Sequence, residues 1–255
     1  MEGSEGPAAL LVSGDRKPVT LRARDFLRCR TDPLRGWLKH RIWRRISPGE
    51  VEADCLGLHV GCGRQRLEGW VNIDLQSFPE VDCVLDVTRG LPFSGVRHVY
   101  AEHFLEHLAV EDALGFLCET FRVLAPGGWV RLSTPNLDWV WCVIDRRHAA
   151  DDDAAMRLGM VANRAFYGWQ HRFLWNRPLL HAALSAAGFD DVRWCRHGES
   201  SIAAFRGVEQ HEVYDDCGEL SHVLIAEARK GRRRPQELSD FRRQLRRGFL
   251  RYLGT

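Results

Sequence analysis

The chain has 255 residues, 45% of them hydrophobic, and its nine Trp and twelve Phe suffice for one ordinary domain with a sizeable core. Its formal net charge of +2 conceals an asymmetry: residues 47–228 carry −12, residues 21–46 carry +7 and residues 229–251 carry +8. No apolar run approaches the roughly 20 residues of a membrane span, and the N-terminus lacks a signal-peptide core, which excludes integral membrane classes as a sequence expectation.

In chain order, residues 1–20 mix Gly, Ser and Ala without periodicity and read as a disordered leader. Residues 21–50 form a basic N-terminal region. After Pro33, Leu34, Leu38, Ile42 and Ile46 recur every four residues, while Arg35, Lys39, Arg44 and Arg45 take other faces, the pattern of an amphipathic helix. Ser47-Pro48-Gly49 stops it.

Residues 51–230 then alternate strand and helix signals. Leu56–Val60, Trp70–Ile73, Val81–Leu85 and Val96–Ala101 read as four strands. A helix follows with Glu111 and Asp112 in its first turn, where the dipole favours anions, and Ala113, Leu114, Leu117, Phe121 and Leu124 on its apolar face. Pro126-Gly127-Gly128 ends it and leads into a fifth strand, Trp129–Ser133. Residues 138–175 are less regular and read as an insert. Pro178 opens a further helix, for which Gly188 is the left-handed C-terminal cap. Val192–Cys195 and Val223–Ala228 read as late strands. Successive strand–helix units imply a parallel α/β sheet.

Residues 231–255 repeat the basic theme. Leu238, Phe241, Leu245, Phe249 and Tyr252 recur at steps of three or four, with Arg242, Arg243, Arg246, Arg247 and Arg251 on the other face. Nucleic acid, an anionic membrane or a protein groove suits such a helix, and so does plain solvent. Eight Cys without a Cys-x-x-Cys pair are expected as free thiols in a reducing cytoplasm.

The stretch that organises the body is Leu56–Asp74. One apolar run ends on Gly61-Cys62-Gly63 and a second, Gly69-Trp70-Val71-Asn72-Ile73, ends on Asp74. Glycines there let the backbone turn sharply and approach a ligand, and an acid at the next strand end accepts hydrogen bonds from a ribose diol. The third glycine of a dinucleotide fingerprint is missing, with Arg66 near its place. Too few residues separate Gly63 from Asp74 for a crossover helix, so that connection is expected to be a stub.

These motifs resemble class I S-adenosylmethionine (SAM) methyltransferases, and most closely a bacterial group with Leu-x-x-Gly-Cys-Gly followed by Gly-Trp-x-Asn-x-Asp. Two positions depart from the wider class: His59 stands where many members carry an acid, and Gln65 where a third glycine is common. Arg122-Val123-Leu124-x-Pro126-Gly127-Gly128 and Ala187-Gly188-Phe189 add to the likeness, which covers about residues 55–229. It implies a Rossmann-like sheet of seven strands, mostly parallel with the last pair antiparallel, and SAM as cofactor. Gly61, Cys62, Gly63, Asp74, Leu75, Asp86, Val87 and Glu102 are the cofactor-binding positions it implies. Glu102 and His103 follow strand four, near where the methyl group and acceptor would meet, and His103 is the candidate general base. Tyr167, Trp169, His171 and Arg172 cluster in the insert and are candidates for holding a sugar, ring, phosphate or carboxylate.

One string suggests other chemistry. His103-Phe104-Leu105-Glu106-His107 spells the inverted zinc-protease pattern, but it abuts a strand terminus rather than lying mid-helix, and no metal is expected. The function expected is methyl transfer, at oxygen, to a small molecule or glycan. Two alternatives stay open: a non-catalytic nucleoside-binding or membrane-associated module, and a nucleic-acid methyltransferase. The second lacks an Asn/Asp-Pro-Pro-Tyr/Phe motif after strand four, where Glu102-His103-Phe104-Leu105 stands.

Overall fold

The computed structural model describes residues 55–145, 151–211, 219–232 and 238–252. The chain divides into two units, Met1–Arg45 and Ile46–Thr255, and everything described belongs to the second. The expected leader at 1–20 and basic helix at 21–50 lie outside the described residues.

Seven strands make one sheet: β1 (Gly57–Val60), β2 (Trp70–Asp74), β3 (Cys83–Val84), β4 (Val96–Glu102), β5 (Leu124–Pro135), β6 (Phe189–Cys195) and β7 (Val223–Lys230). Their spatial order is β3-β2-β1-β4-β5-β7-β6. β7 runs antiparallel to β5 and β6, and the remaining pairings are parallel. This is the mostly parallel, seven-stranded α/β sheet with an antiparallel last pair that the sequence led us to expect. Among the described residues five α-helices accompany it: α1 (Val110–Val123), α2 (Leu137–Asp145), α3 (Asp152–Tyr167), α4 (Arg177–Ala186) and α5 (Leu238–Tyr252).

The two faces of the sheet differ in chemistry. One carries Leu58, Val60, Ile73, Val99, Ala101, Val130 and Leu132, all at most 1% exposed. α1 and α4 pack against this side of the domain through Leu114, Phe116, Leu117, Leu180, Ala183 and Leu184. The other face is polar. His59 Nδ1 meets Asn72 Oδ1 at 3.0 Å, the His59 and Tyr100 rings stack at 5.1 Å, and Arg131 reaches Glu209 and Glu227, each at 2.5 Å.

Among the described residues, no crossover helix joins β1 to β2 or β2 to β3 across that polar face. Residues 61–69 join β1 to β2 and residues 75–82 join β2 to β3 without a helix, each below the dozen or so residues a parallel connection commonly takes. The stub expected after Gly63 is thus present. The segment between β6 and β7 takes the helices' place: Phe205 and Val208 pack on Trp70 and Tyr100, with Leu67, Trp129 and Ile202 around them. Burying Phe205 alone contributes about 1.5–3 kcal/mol.

Three expectations need correction. β5 begins at Leu124, not Trp129, because the chain passes straight from α1 into the strand and absorbs Pro126-Gly127-Gly128, with a register shift against β4 at Val96/His98. The insert is largely helical: α2 and α3 occupy it, and α3 is capped by Asp151, whose side chain accepts from the Ala154 amide. α3 has no fully buried residue; its half-buried side chains, Ala154, Leu158, Val161, Ala162, Ala165 and Phe166, recur at helical spacing, but small and polar residues dominate around them. Cys55, Cys62, Cys83, Cys118 and Cys195 are free, but Cys142 is disulfide-bonded; scattered Cys spacing carries no sign of such a pairing.

Candidate functional site

A cavity of about 420 Å³ opens beyond the carboxyl ends of β1, β2 and β4, with Val60, Ile73 and Leu85 as its apolar floor. Its rim is built by the turn after β1. The Gly61 and Cys62 amides both donate to the Ile73 carbonyl, at 2.8 and 3.1 Å, folding the turn back over β2. Gly61 has φ +71°, and a Cβ there would lie 2.5 Å from the Phe104 ring, so both conformation and space require glycine. Gly63 has φ +54° with nothing within 4 Å of an added Cβ, leaving its backbone open to a ligand.

Asp74 locks this turn to the end of β2. Its Oδ2 accepts from the Gly63 amide at 2.9 Å and its Oδ1 from the Gln76 amide at 2.8 Å. Each oxygen keeps a further lone pair, and the half-exposed carboxylate lines the cavity. Asp86, after β3, caps the turn Val87–Arg89 by accepting from the Thr88 amide and hydroxyl, and its other oxygen meets Arg89 at 3.2 Å.

Beyond β4 the chain turns at His103, whose φ of +45° is strained for a non-glycine residue. Its Nδ1 lies 2.9 Å from Glu106 Oε1, and Glu106 Oε2 accepts from the Thr134 hydroxyl at 3.0 Å. Burial opposes charge on His103, but the hydrogen bond and negative charge of Glu106 outweigh it and its pKa is raised. His107, one residue on, has its pKa lowered by burial.

The insert closes the acceptor side. The Arg172 and Phe173 amides donate to the Glu106 carbonyl at 2.7 and 3.2 Å, which seats the segment on the turn after β4. Trp169 stacks on His171 at 5.8 Å, and the Arg164 guanidinium lies 4.5 Å over the Trp169 ring. His171 Nδ1 donates to the Ala165 carbonyl at 2.7 Å.

Gly61, Asp74, Leu75, Asp86, Val87, His103 and Trp169, all singled out from sequence, thus line one cavity. The others lie elsewhere. Cys62 is buried beneath the turn, and burial pushes its thiol up to about 12. Gly63 is tied to Asp74 beside the cavity. Glu102 does not line it: its carboxylate is taken by the amides of Gln210 and His211 and by the His211 ring. Burial opposes the charge on Glu102, but these donors prevail and hold its pKa down to about 2. Tyr167 is 74% exposed, and Arg172 contributes its backbone while its side chain faces solvent. Sequence reasoning missed Phe104, His107 and Gln170 as lining residues and Glu106 as the partner of His103. The signal was present in the His-x-x-Glu-His string, where a tight turn brings positions three apart together.

No protein-family model and no curated protein sequence matches the chain. Among solved structures, a SAM-dependent methyltransferase from Archaeoglobus fulgidus is similar at 17% identity over 77% of this chain and 94% of its own, with a TM-score of 0.45. A protein of Bordetella parapertussis described as a possible exported protein is similar at 15% identity over 85% of this chain and 71% of its own, with a TM-score of 0.43. A methyltransferase-like protein of Bacillus halodurans is similar at 15% identity over 69% and 92%, with a TM-score of 0.40.

Proposed function

We propose that the chain is a SAM-dependent methyltransferase acting on an oxygen of a small-molecule or glycan acceptor. The observation that carries this reading is Asp74, which accepts from the Gly63 amide of the glycine turn and from the Gln76 amide, keeps a lone pair on each oxygen, and lines a cavity of nucleoside size. The cavity residues fit SAM: a side-chain-free turn at Gly61, an acid at the end of β2, a second acid after β3 and an apolar floor. In this assignment Asp74 takes the ribose diol, Asp86 and Val87 flank the base, and the Gly61–Gly63 turn faces the amino-acid portion.

Bound there, SAM supplies a methyl group already activated by its sulfonium charge. The protein's own work is to align the acceptor, exclude water and remove a proton. His103 is placed for the proton. With Nδ1 engaged by Glu106, its Nε2 is free to accept hydrogen from an acceptor hydroxyl, and Thr134 fixes Glu106 in turn. Trp169 and Gln170 shield the acceptor side. Among the described residues no helix is long and apolar enough to cross a membrane. α5 turns Arg243 and Arg247 to solvent, which supports contact with an anionic membrane surface or acidic partner, within the cytoplasmic setting this reading expects.

Calorimetric titration with SAM and, separately, with NAD tests the reading. The wild-type protein is expected to saturate with SAM and not with NAD. Asp74→Ala is expected to abolish SAM binding; Asp74→Asn, which keeps one of the two backbone acceptors, is expected to weaken it at least tenfold at a smaller loss of melting temperature than Asp74→Ala. SAM affinity undiminished in both variants would remove Asp74 from the site and the reading with it.

A further inference from the structure

We propose that Glu106, His107 and His171 bind one divalent transition-metal ion at the acceptor end of the cavity, where it takes the acceptor's oxygen. One ligand atom from each of the three lies within 4.8 Å of the others. Two imidazoles and one carboxylate are the donor set of open, three-ligand catalytic sites for zinc, and the same set suits iron(II).

The supporting shell is what such a site needs. His171 donates Nδ1–H to the Ala165 carbonyl, so its Nε2 carries the lone pair. Glu106 is oriented by His103 on one oxygen and Thr134 on the other, and each oxygen keeps a second lone pair. Carbonyl and carboxylate partners of this kind fix the tautomer and ring orientation of metal-bound histidines. The backbone is organised to the same end, since the Arg172 and Phe173 amides bind the Glu106 carbonyl and hold His171 against the turn that carries Glu106 and His107. Trp169 stacks on the His171 ring and closes the outer side.

The site differs from the zinc-protease pattern in the sequence. His103, its first histidine, is spent on Glu106, and the second imidazole comes instead from the insert. His107 lines the cavity, so an open coordination position would face the acceptor. The role follows from charge. A cation on an acceptor hydroxyl lowers its pKa; the O–H bond then breaks with its electron pair left on oxygen, and the proton moves to His103 Nε2. This role rests on the methyltransferase reading, but the metal site does not.

The test uses untagged full-length protein stripped with a chelator and titrated with Co²⁺ and with Zn²⁺, read by visible absorption and calorimetry. One Co²⁺ per chain is expected, with the intense bands of low-coordinate cobalt, displaced by Zn²⁺. His107→Ala and His171→Ala are each expected to weaken binding at least a hundredfold; His181→Ala, on the exposed side of α4, is expected to leave it unchanged. Absence of stoichiometric binding, or unchanged affinity in both ligand variants, overturns the site. Titrating SAM into the same preparations separates the two readings: SAM binding without metal removes only the metal site, and metal binding without SAM leaves the site standing and removes the methyl donor.

Discussion

Gly61 and Gly63 share a left-handed backbone but not an environment, and this makes them a controlled pair. At Gly63 an added methyl meets nothing, so Gly63→Ala carries only the conformational penalty, roughly 1–2 kcal/mol. At Gly61 the same penalty is joined by a clash with Phe104, whose ring also packs edge-on against Phe116 at 5.1 Å. Overpacking of that kind adds about 1–3 kcal/mol. Urea unfolding should therefore find Gly61→Ala less stable than Gly63→Ala by a clear margin. Equal losses would mean that Phe104 swings away freely and that the turn is not braced by α1.

At the scale of elements, the β6–β7 segment does work usually left to crossover helices. It brings Phe205 onto Trp70 and Glu209 onto Arg131. Arg131 is fully buried with carboxylates on two sides, Glu209 and Glu227, and Ser200 also donates to Glu227 at 2.6 Å. Removing the cation strands two buried acids, so Arg131→Met is expected to cost about 3–5 kcal/mol in chemical denaturation. Adding Glu209→Gln and Glu227→Gln to that variant should recover part of the loss, because the stranded charge and not lost packing is its source. No recovery would show instead that the guanidinium's own contacts carry the stability.

That segment also marks where the sequence stopped being legible. β1, β2, β4 and β7 could be read because apolar residues dominate each of them, with single polar residues such as His59 and Asn72 between, and each ends at a turn residue or a charge. Gly61, Asp74 and Asp86 could be read because strand-end turn chemistry is local. The start of β5 could not, since Pro126-Gly127-Gly128 reads as a break, and only the pairing of Leu124 with Val96 ahead of the register shift carries the strand across it. α3 was not, because its stripe of Ala154, Leu158, Val161, Ala162, Ala165 and Phe166 is weakly apolar and sits among aromatic and charged residues that read as irregular. His171 was singled out for its neighbours Trp169 and Arg172. Its approach to Glu106 and His107 comes from the docking of the insert's backbone on the turn after β4, a long-range contact with no sequence period behind it.

At the scale of the whole molecule, the pH response reports how the polar face is held together. Glu102 ends β4, and the segment that covers the polar face is tied to it through the amides of Gln210 and His211 and the His211 ring. Its pKa falls from the ordinary glutamate range to about 2 in the folded protein. A depressed carboxylate contributes its full stability above its unfolded pKa and loses it as pH falls through the folded one. The contribution, on the order of 3 kcal/mol, should therefore be intact above about pH 5 and drain away toward pH 2. Asp82, Glu119 and Asp191 also titrate below their ordinary values, so the total acid slope belongs to several groups. The difference between wild type and Glu102→Gln isolates one. The variant should be less stable at neutral pH and converge on wild type near pH 2 in urea titrations across the range. A gap that stays constant with pH would assign the loss to hydrogen-bond geometry, and the charge of Glu102 would then have no part in closing the polar face.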